Sequence, residues 1–217
     1  MITKEKFNTR EEWSAARTTL GGSDAAAVIG KSPWMTNTEL WEVKTGRRIF
    51  AGLSENELVQ YGHDAEPLIR QIFELDHPEF EHSYTENTIF RNELYPFAHA
   101  SVDGLLTDSL TGEKGILEIK TATIQNASQV DKWKYGHVPV YYLIQVLWYM
   151  AILNADFAVI VAQLKGARWN GEDCKVTVER TVNRADHASD ITYLMTQGRQ
   201  FWKYVQDDQR PPLILEI

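Results

Sequence analysis

The residues with the most chemistry in this chain are Asp103, Glu118 and Lys120, an acid followed fifteen positions later by Glu-Ile-Lys. Between them, Thr107-Asp108-Ser109-Leu110-Thr111-Gly112 is dense in turn formers, which predicts a hairpin. In an antiparallel pair facing positions share a constant sum, and a turn centred between Leu110 and Thr111 sets that sum at 221, the sum of 103 and 118. Asp103 is therefore expected opposite Glu118. Glu118 and Lys120 share a strand face with Ile116, about 6.5–7 Å apart along it. Two carboxylates at such spacing suit Mg²⁺, which takes few protein oxygens and keeps its waters, and the amine can hold or help deprotonate an attacking water. The same pattern also describes a cross-strand acidic pair balanced by lysine on a solvated face. Two features favour the site: Ile-Leu-Glu-Ile-Lys embeds its charges among core residues, and Gly104 lets backbone or substrate approach beside Asp103.

Other residues could join them. Glu66 lies on a helical row with Gly62, Ile69 and Phe73, which carries its carboxylate toward the core; a salt bridge to Arg70 would explain it equally. Gln145, with Tyr149 one turn on, is a polar exception on an apolar helix and serves either a site or a buried backbone contact. Arg17 followed by Gly21-Gly22-Ser23 offers a guanidinium, a hydroxyl and free N–H groups suited to a phosphate, or an ordinary helix cap at Ser23. Lys132-Trp133-Lys134-Tyr135-Gly136-His137 interleaves cations with aromatics, as a strand or phosphate contact or as an exposed polar loop with two packed aromatics.

The elements that must position these side chains follow from local pattern. Thr9 and Glu12 form a capping box that opens a helix through Ala16 and delivers Arg17 to a loop. Helices are expected from Ser23 to a stop at Gly30, and from Thr38 to Thr45 before Gly46. Apolar positions 61, 65, 68, 69, 72 and 73 predict a core-facing helix, with Pro67 in its first turn or kinking it. Residues 97–103 and 116–120 read as the hairpin strands. Pro139 opens a buried helix to Asn154, Phe157 to Leu164 reads as a strand covered on both faces, Lys175 to Val182 alternates as an outer strand, and a last amphipathic helix spans about 185–206. The expected architecture is α/β, one domain over 1–217 with a mixed central sheet flanked by helices.

Composition narrows the function. With 217 residues, 22 Lys+Arg against 30 Asp+Glu and a net charge of −8, the chain will not coat nucleic acid or anionic membrane indiscriminately, so DNA contact requires a local basic groove. The single cysteine, Cys174, excludes an internal disulfide and an all-cysteine cluster. No secretory h-region opens the sequence, and the longest apolar stretch, 138–153, is interrupted by Pro139 and Gln145 and too short to span a bilayer. A cytoplasmic protein without membrane attachment is expected.

Taken in order, Arg17, Leu20-Gly21-Gly22-Ser23-Asp24, Ser32-Pro33-Trp34, Leu40 to Gly46, Gly62-His63-Asp64-Ala65-Glu66, Ser101-Val102-Asp103-Gly104, Leu117-Glu118-Ile119-Lys120 and Gln145 to Tyr149 closely resemble the YqaJ-type viral recombinases. That family includes phage lambda exonuclease and belongs to the PD-(D/E)xK nucleases. The resemblance implies a restriction-endonuclease-like core and a Mg²⁺-dependent exonuclease, with Mn²⁺ able to substitute. It implies digestion of the 5′-ended strand of linear double-stranded DNA, leaving a 3′ overhang for a single-strand annealing protein. It implies a ring-shaped homotrimer. It assigns Asp103, Glu118 and the Ile119 carbonyl to the metal, Lys120 to the water, Glu66 to the helix acid near the metal, and Arg17 and Ser23 to a 5′-phosphate pocket. Gln145 joins the catalytic set, and Tyr149, Lys132 and Lys134 are candidate DNA contacts. Many members carry a second glutamine where this chain has Leu147. A structure-specific or nicking endonuclease, or a DNA-end-binding module without hydrolysis, is the alternative.

Overall fold

The computed structural model describes residues 1–49, 57–169 and 172–214. Short elements come first: β1 (Ile2–Lys6), α1 (Arg10–Ala16), α2 (Gly22–Val28) and α3 (Asn37–Lys44). The long helix α4 (Glu57–Asp76) leads to β2 (Phe80–Ser83), β3 (Thr88–Asn92), β4 (His99–Ala100), β5 (Gly104–Asp108) and β6 (Lys114–Thr123). Then follow α5 (Ala127–Asp131), α6 (Val140–Leu153), β7 (Phe157–Trp169), β8 (Glu172–Asn183), a 3-10 turn over Arg184–His187, and α7 (Ala188–Gln206).

The strands form a mixed five-stranded sheet in the order β2-β5-β6-β7-β8 and a smaller sheet β1-β3-β4. Among the described strands of the larger sheet, only β6 and β7 run parallel. That pairing needs a crossover, which α5 and α6 supply. Because strand side chains alternate, Leu117, Ile119, Val159 and Val161 pack on one face with Ala65, Ile69 and Phe73 of α4. The opposite face, with Ile116, Ala158, Ile160 and Ala162, packs on α6 and its neighbours α2 and α7. Glu118 and Lys120 have the parity of Ile116, so the sheet sends them toward α6.

Several expectations hold and several are corrected. Thr9 caps α1 by accepting from the Glu12 N–H at 3.1 Å, but the expected box does not close: the Glu12 carboxylate accepts the Asn8 N–H at 3.0 Å, one residue before the cap. Gly30 and Gly46 follow their helices with φ of 71° and 73°. Ser23 does not cap α2. Gly21 occupies that place, and the Asp24 carboxylate accepts the Gly21 N–H at 2.9 Å, so that amide is already taken. Residues 97–103 are not the hairpin strand. His99–Ala100 pairs with β3 in the small sheet, and the hairpin partner of β6 is Gly104–Asp108, the stretch beside the turn. Pro67 lies mid-helix in α4 rather than in its first turn. Leu68 and Ile72 are exposed, because the sheet covers only the stripe through Ala65, Ile69 and Phe73. Pro139 stands one residue before its helix, as N-cap. Among the described residues no helix is long and apolar enough to cross a membrane.

Candidate active site

The hairpin register is the expected one: Gly104 faces Leu117 and Leu105 faces Ile116, both on the sum 221. One step beyond the end of β5, Asp103 accepts the Ile119 N–H through Oδ2 at 2.7 Å. A residue in a strand sends its N–H and C=O to the same edge, so the Ile119 carbonyl also faces the open edge where Asp103 lies. Of the two approaches expected at Gly104, the structure shows that of the neighbouring strand: a Cβ there would lie 3.1 Å from the Leu117 Cβ.

Glu118 is buried, and its Oε1 accepts from Lys120 Nζ at 2.7 Å and from Gln145 Nε2 at 2.5 Å. Its Oε2 is also buried and has no hydrogen-bond partner. The Gln145 amide reaches the Tyr149 hydroxyl at 3.1 Å, one helical turn further along α6. Glu66 enters from α4. Arg70 bonds to the Glu66 carboxylate and, through Nε, to the Asp103 carbonyl oxygen at 2.7 Å, while its guanidinium lies 3.5 Å from the Tyr84 ring centroid. Glu66 therefore has its salt bridge and its place beside the acids together.

Burial, then the negative charge of Glu66, pushes the Asp103 carboxyl up to about 6. Burial, then Asp103, pushes Glu118 up to about 8. Glu66 is raised too, chiefly by burial, against the pull of Arg70. Burial works to neutralise Lys120, but Glu118 and Asp103 outweigh it and hold the amine above the usual lysine range. The site thus concentrates negative charge that its own lysine does not fully offset, and an unpaired buried carboxylate oxygen faces it. Both properties fit a cation. Among the described residues no three His, Cys, Asp or Glu side chains cluster into a metal cage; the oxygens that meet here are those of the Asp103 and Glu118 carboxylates, with the Ile119 carbonyl on the same edge. That is an oxygen set with room for water, as Mg²⁺ prefers.

One cavity of about 280 Å³ is lined by Glu66, Asp103, Glu118, Ile119, Lys120, Gln145 and Tyr149, and also by Arg17 and Ser23. The acids and the expected phosphate pocket are thus brought together. Lys132 lines a different cavity beside α6, and Lys134 pairs with Asp131 at 2.9 Å. The aromatics between them divide: Trp133 is buried and Tyr135 is exposed.

Sequence reasoning missed His99. It is buried beneath Arg17, whose Nε donates to Nε2 at 3.4 Å, and it contacts the Thr19 hydroxyl through Nδ1 at 2.9 Å. A guanidinium only donates, so Nε2 accepts and the proton sits on Nδ1. Burial, with Arg17, pulls His99 down to about 3, which keeps it neutral. The Arg17 guanidinium also lies 4.4 Å from the Trp13 ring centroid. The available signal was alternation: 99, 101 and 103 fall on one side of an extended segment.

Gly22 shows how tightly α2 meets the site, since a Cβ there would lie 2.4 Å from Tyr149 Cε1. Gly22→Ala is expected to cost about 1–3 kcal/mol in urea unfolding. In a Tyr149→Ala background that cost should largely vanish, and a cost that persists would show the strain lies elsewhere.

The model of the YqaJ-like viral recombinase domain matches residues 12–156. The chain belongs to that family. A curated YqaJ relative, the uncharacterized protein YqaJ of Bacillus subtilis (strain 168), is 30% identical over 158 residues, covering 72% of this chain and 46% of that protein. The chain thus spans about half the length of that relative. In fold, this YqaJ-like chain is similar to the alkaline exonuclease LHK-Exo of Laribacter hongkongensis, with a TM-score of 0.66 at 19% identity, covering 91% of this chain and 93% of that one. A structure of LHK-Exo in complex with dAMP gives 0.65 at 20% identity, with the same coverage. A phage-related exonuclease from Haemophilus somnus 129PT gives 0.53 at 17%, covering 88% of this chain and 96% of that one.

Proposed function

We propose that this protein is a Mg²⁺-dependent exonuclease that digests the 5′-ended strand of linear double-stranded DNA and leaves 3′ overhangs for a single-strand annealing protein in recombination. The observation that carries this reading is the buried, unpartnered Oε2 of Glu118 beside Asp103 and Lys120, in a cavity shared with Arg17 and Ser23. Membership of the YqaJ-like family and the likeness of fold to alkaline exonucleases support it.

Asp103, Glu118 Oε2 and the Ile119 carbonyl would hold Mg²⁺, or Mn²⁺ in its place, which supplies Lewis-acid stabilisation of charge on the scissile phosphate. The protein's own residues do the rest. Lys120, kept protonated by its two acids, donates a hydrogen bond that orients the attacking water or a phosphoryl oxygen; of the two tasks expected of it, holding suits a charged amine and deprotonating does not. Gln145 fixes the Glu118 carboxylate from the α6 side, with Tyr149 behind it. Arg70 ties Glu66 to the Asp103 backbone and so joins α4 to the hairpin. Arg17, set by neutral His99, and the Ser23 hydroxyl bind the 5′-terminal phosphate. A net charge of −8 conflicts with holding DNA unless cations are gathered inward, and a homotrimeric ring meets that requirement.

The test is digestion of linear duplex labelled at the 5′ or the 3′ end, with covalently closed circles as control. Release of the 5′ label first, only with Mg²⁺ or Mn²⁺ and with circles intact, is the expected result. Cutting of circles would indicate an endonuclease, and no release from any substrate would reduce the protein to a binder.

A further inference from the structure

Trp34 is 63% exposed, yet it is held in place. The Ser32 hydroxyl accepts the backbone N–H of Trp34 at 3.2 Å and that of Met35 at 3.4 Å. The indole packs edge-on against Tyr141, with ring centroids 4.9 Å apart, and lies 6.4 Å from Tyr142. Tyr142 in turn sits under Lys120, whose Nζ is 5.1 Å from the ring centroid. A chain of rings therefore runs from the candidate catalytic lysine to an exposed indole. Beside it opens a cavity of about 420 Å³, lined by Lys31, Lys132 and His137 with Pro33 and Tyr141. Among the described residues no carboxylate lines it, in a chain with eight more acids than bases.

We infer that this groove binds unpaired DNA, with a base stacked on Trp34 and the phosphates held along Lys132 and His137. A fixed aromatic face beside cations is the chemistry that recognises single strands, since every base has a face to stack and every phosphate a charge to pair. Paired bases inside a duplex offer no such face. The inference rests on the proposed function for its source of ligand: feeding one strand of a duplex end into the cavity of Arg17 and Lys120 parts it from its complement, and the parted bases need a surface.

The test is fluorescence anisotropy of a 5′-hydroxyl oligo-dT ten-mer with the full chain in EDTA, where no hydrolysis occurs. Trp34→Ala should weaken binding on the order of tenfold, as loss of one stacked base does, and Trp34→Phe should restore most of it. Lys132→Gln should lower the slope of log affinity against log salt by about 0.7. Equal affinity in Trp34→Ala and the parent, or no binding by the parent, overturns the inference. So does light scattering in which Trp34→Ala changes the oligomer mass while oligonucleotide affinity is kept, because the groove would then be an interface between copies. Digestion of linear duplex by the same preparations separates the two readings: a parent that digests duplex with Trp34 indifferent defeats the groove alone, and Trp34-dependent binding without digestion defeats the nuclease alone.

Discussion

Glu118→Gln should reduce hydrolysis of linear duplex on the order of a thousandfold or more, because it removes the carboxylate that the Oε2 position supplies, and charge stabilisation there is worth several kcal/mol. Asp103→Asn should do the same. Binding of duplex ends should survive in both, since fewer clustered negative charges repel the phosphates less. Stability should move the other way from activity. Glu118 is raised from 4.5 to about 8 in the folded chain, so between those pH values the unfolded state binds fewer protons and the cation-free fold loses stability as pH rises. Asp103 adds a similar loss between 3.8 and about 6. Glu118→Gln should therefore unfold at higher urea than the parent at pH 8 in EDTA, with little difference at pH 4.5. A variant that stays active with Mg²⁺, or a parent whose stability rises from pH 5 to 8 through this pair, would contradict the assignment.

Arg17→Ala should erase the preference for a 5′-phosphate. A terminal phosphate carries nearly a second negative charge and one more free oxygen than an internal one, so a guanidinium and a hydroxyl can select it. The parent is expected to degrade 5′-phosphorylated duplex faster than 5′-hydroxyl duplex. The variant should lose about 1.5–3 kcal/mol on the phosphorylated end, roughly 10- to 150-fold, and little on the other. Each cut leaves a new 5′-phosphate for the pocket to grip, so direction would come from binding rather than from the hydrolysis itself. His99 sharpens the test. At about 3 it stays neutral through the working range, so the preference should weaken on acidification only as the terminal phosphate itself gains its second proton near pH 6, with no further loss from a charge beneath Arg17. Full preference in Arg17→Ala would return the segment around Gly21 and Ser23 to an ordinary helix start.

The core of the candidate site was legible because its elements announce themselves locally. The turn at 107–112 fixed the hairpin register, and the alternation of Ile116, Glu118 and Lys120 fixed which face the charges share. The α4 row through Glu66 and the polar exception of Gln145 were readable from helical spacing. What stayed hidden is non-local or lightly patterned. β1 is largely exposed and carries almost no apolar alternation, so only its pairing with β3 makes it a strand. His99 acquires its role from Arg17 and Thr19, which lie about eighty residues away in sequence. The cap at Gly21 depended on Asp24, one residue beyond the hydroxyl that looked like the cap. The separation of Lys132 from the acid cavity needed the crossover through α5 and α6, which no local pattern specifies.

The hydrogen bond from the Ile119 amide to Asp103 joins two parts of the molecule with different resistance to opening. Glu118, Ile119 and Lys120 lie on the middle strand of five, whose ladder is the last to separate, whereas Asp103 stands one residue before β5, outside its paired residues, and meets β6 from the loop. Half of the site is therefore bolted to the slowest-opening element and half hangs from a short loop steadied by Arg70. Exchange of the Ile119 amide with deuterium is then a clock for that loop: it runs when Asp103 swings away, while neighbouring amides of the same strand stay locked.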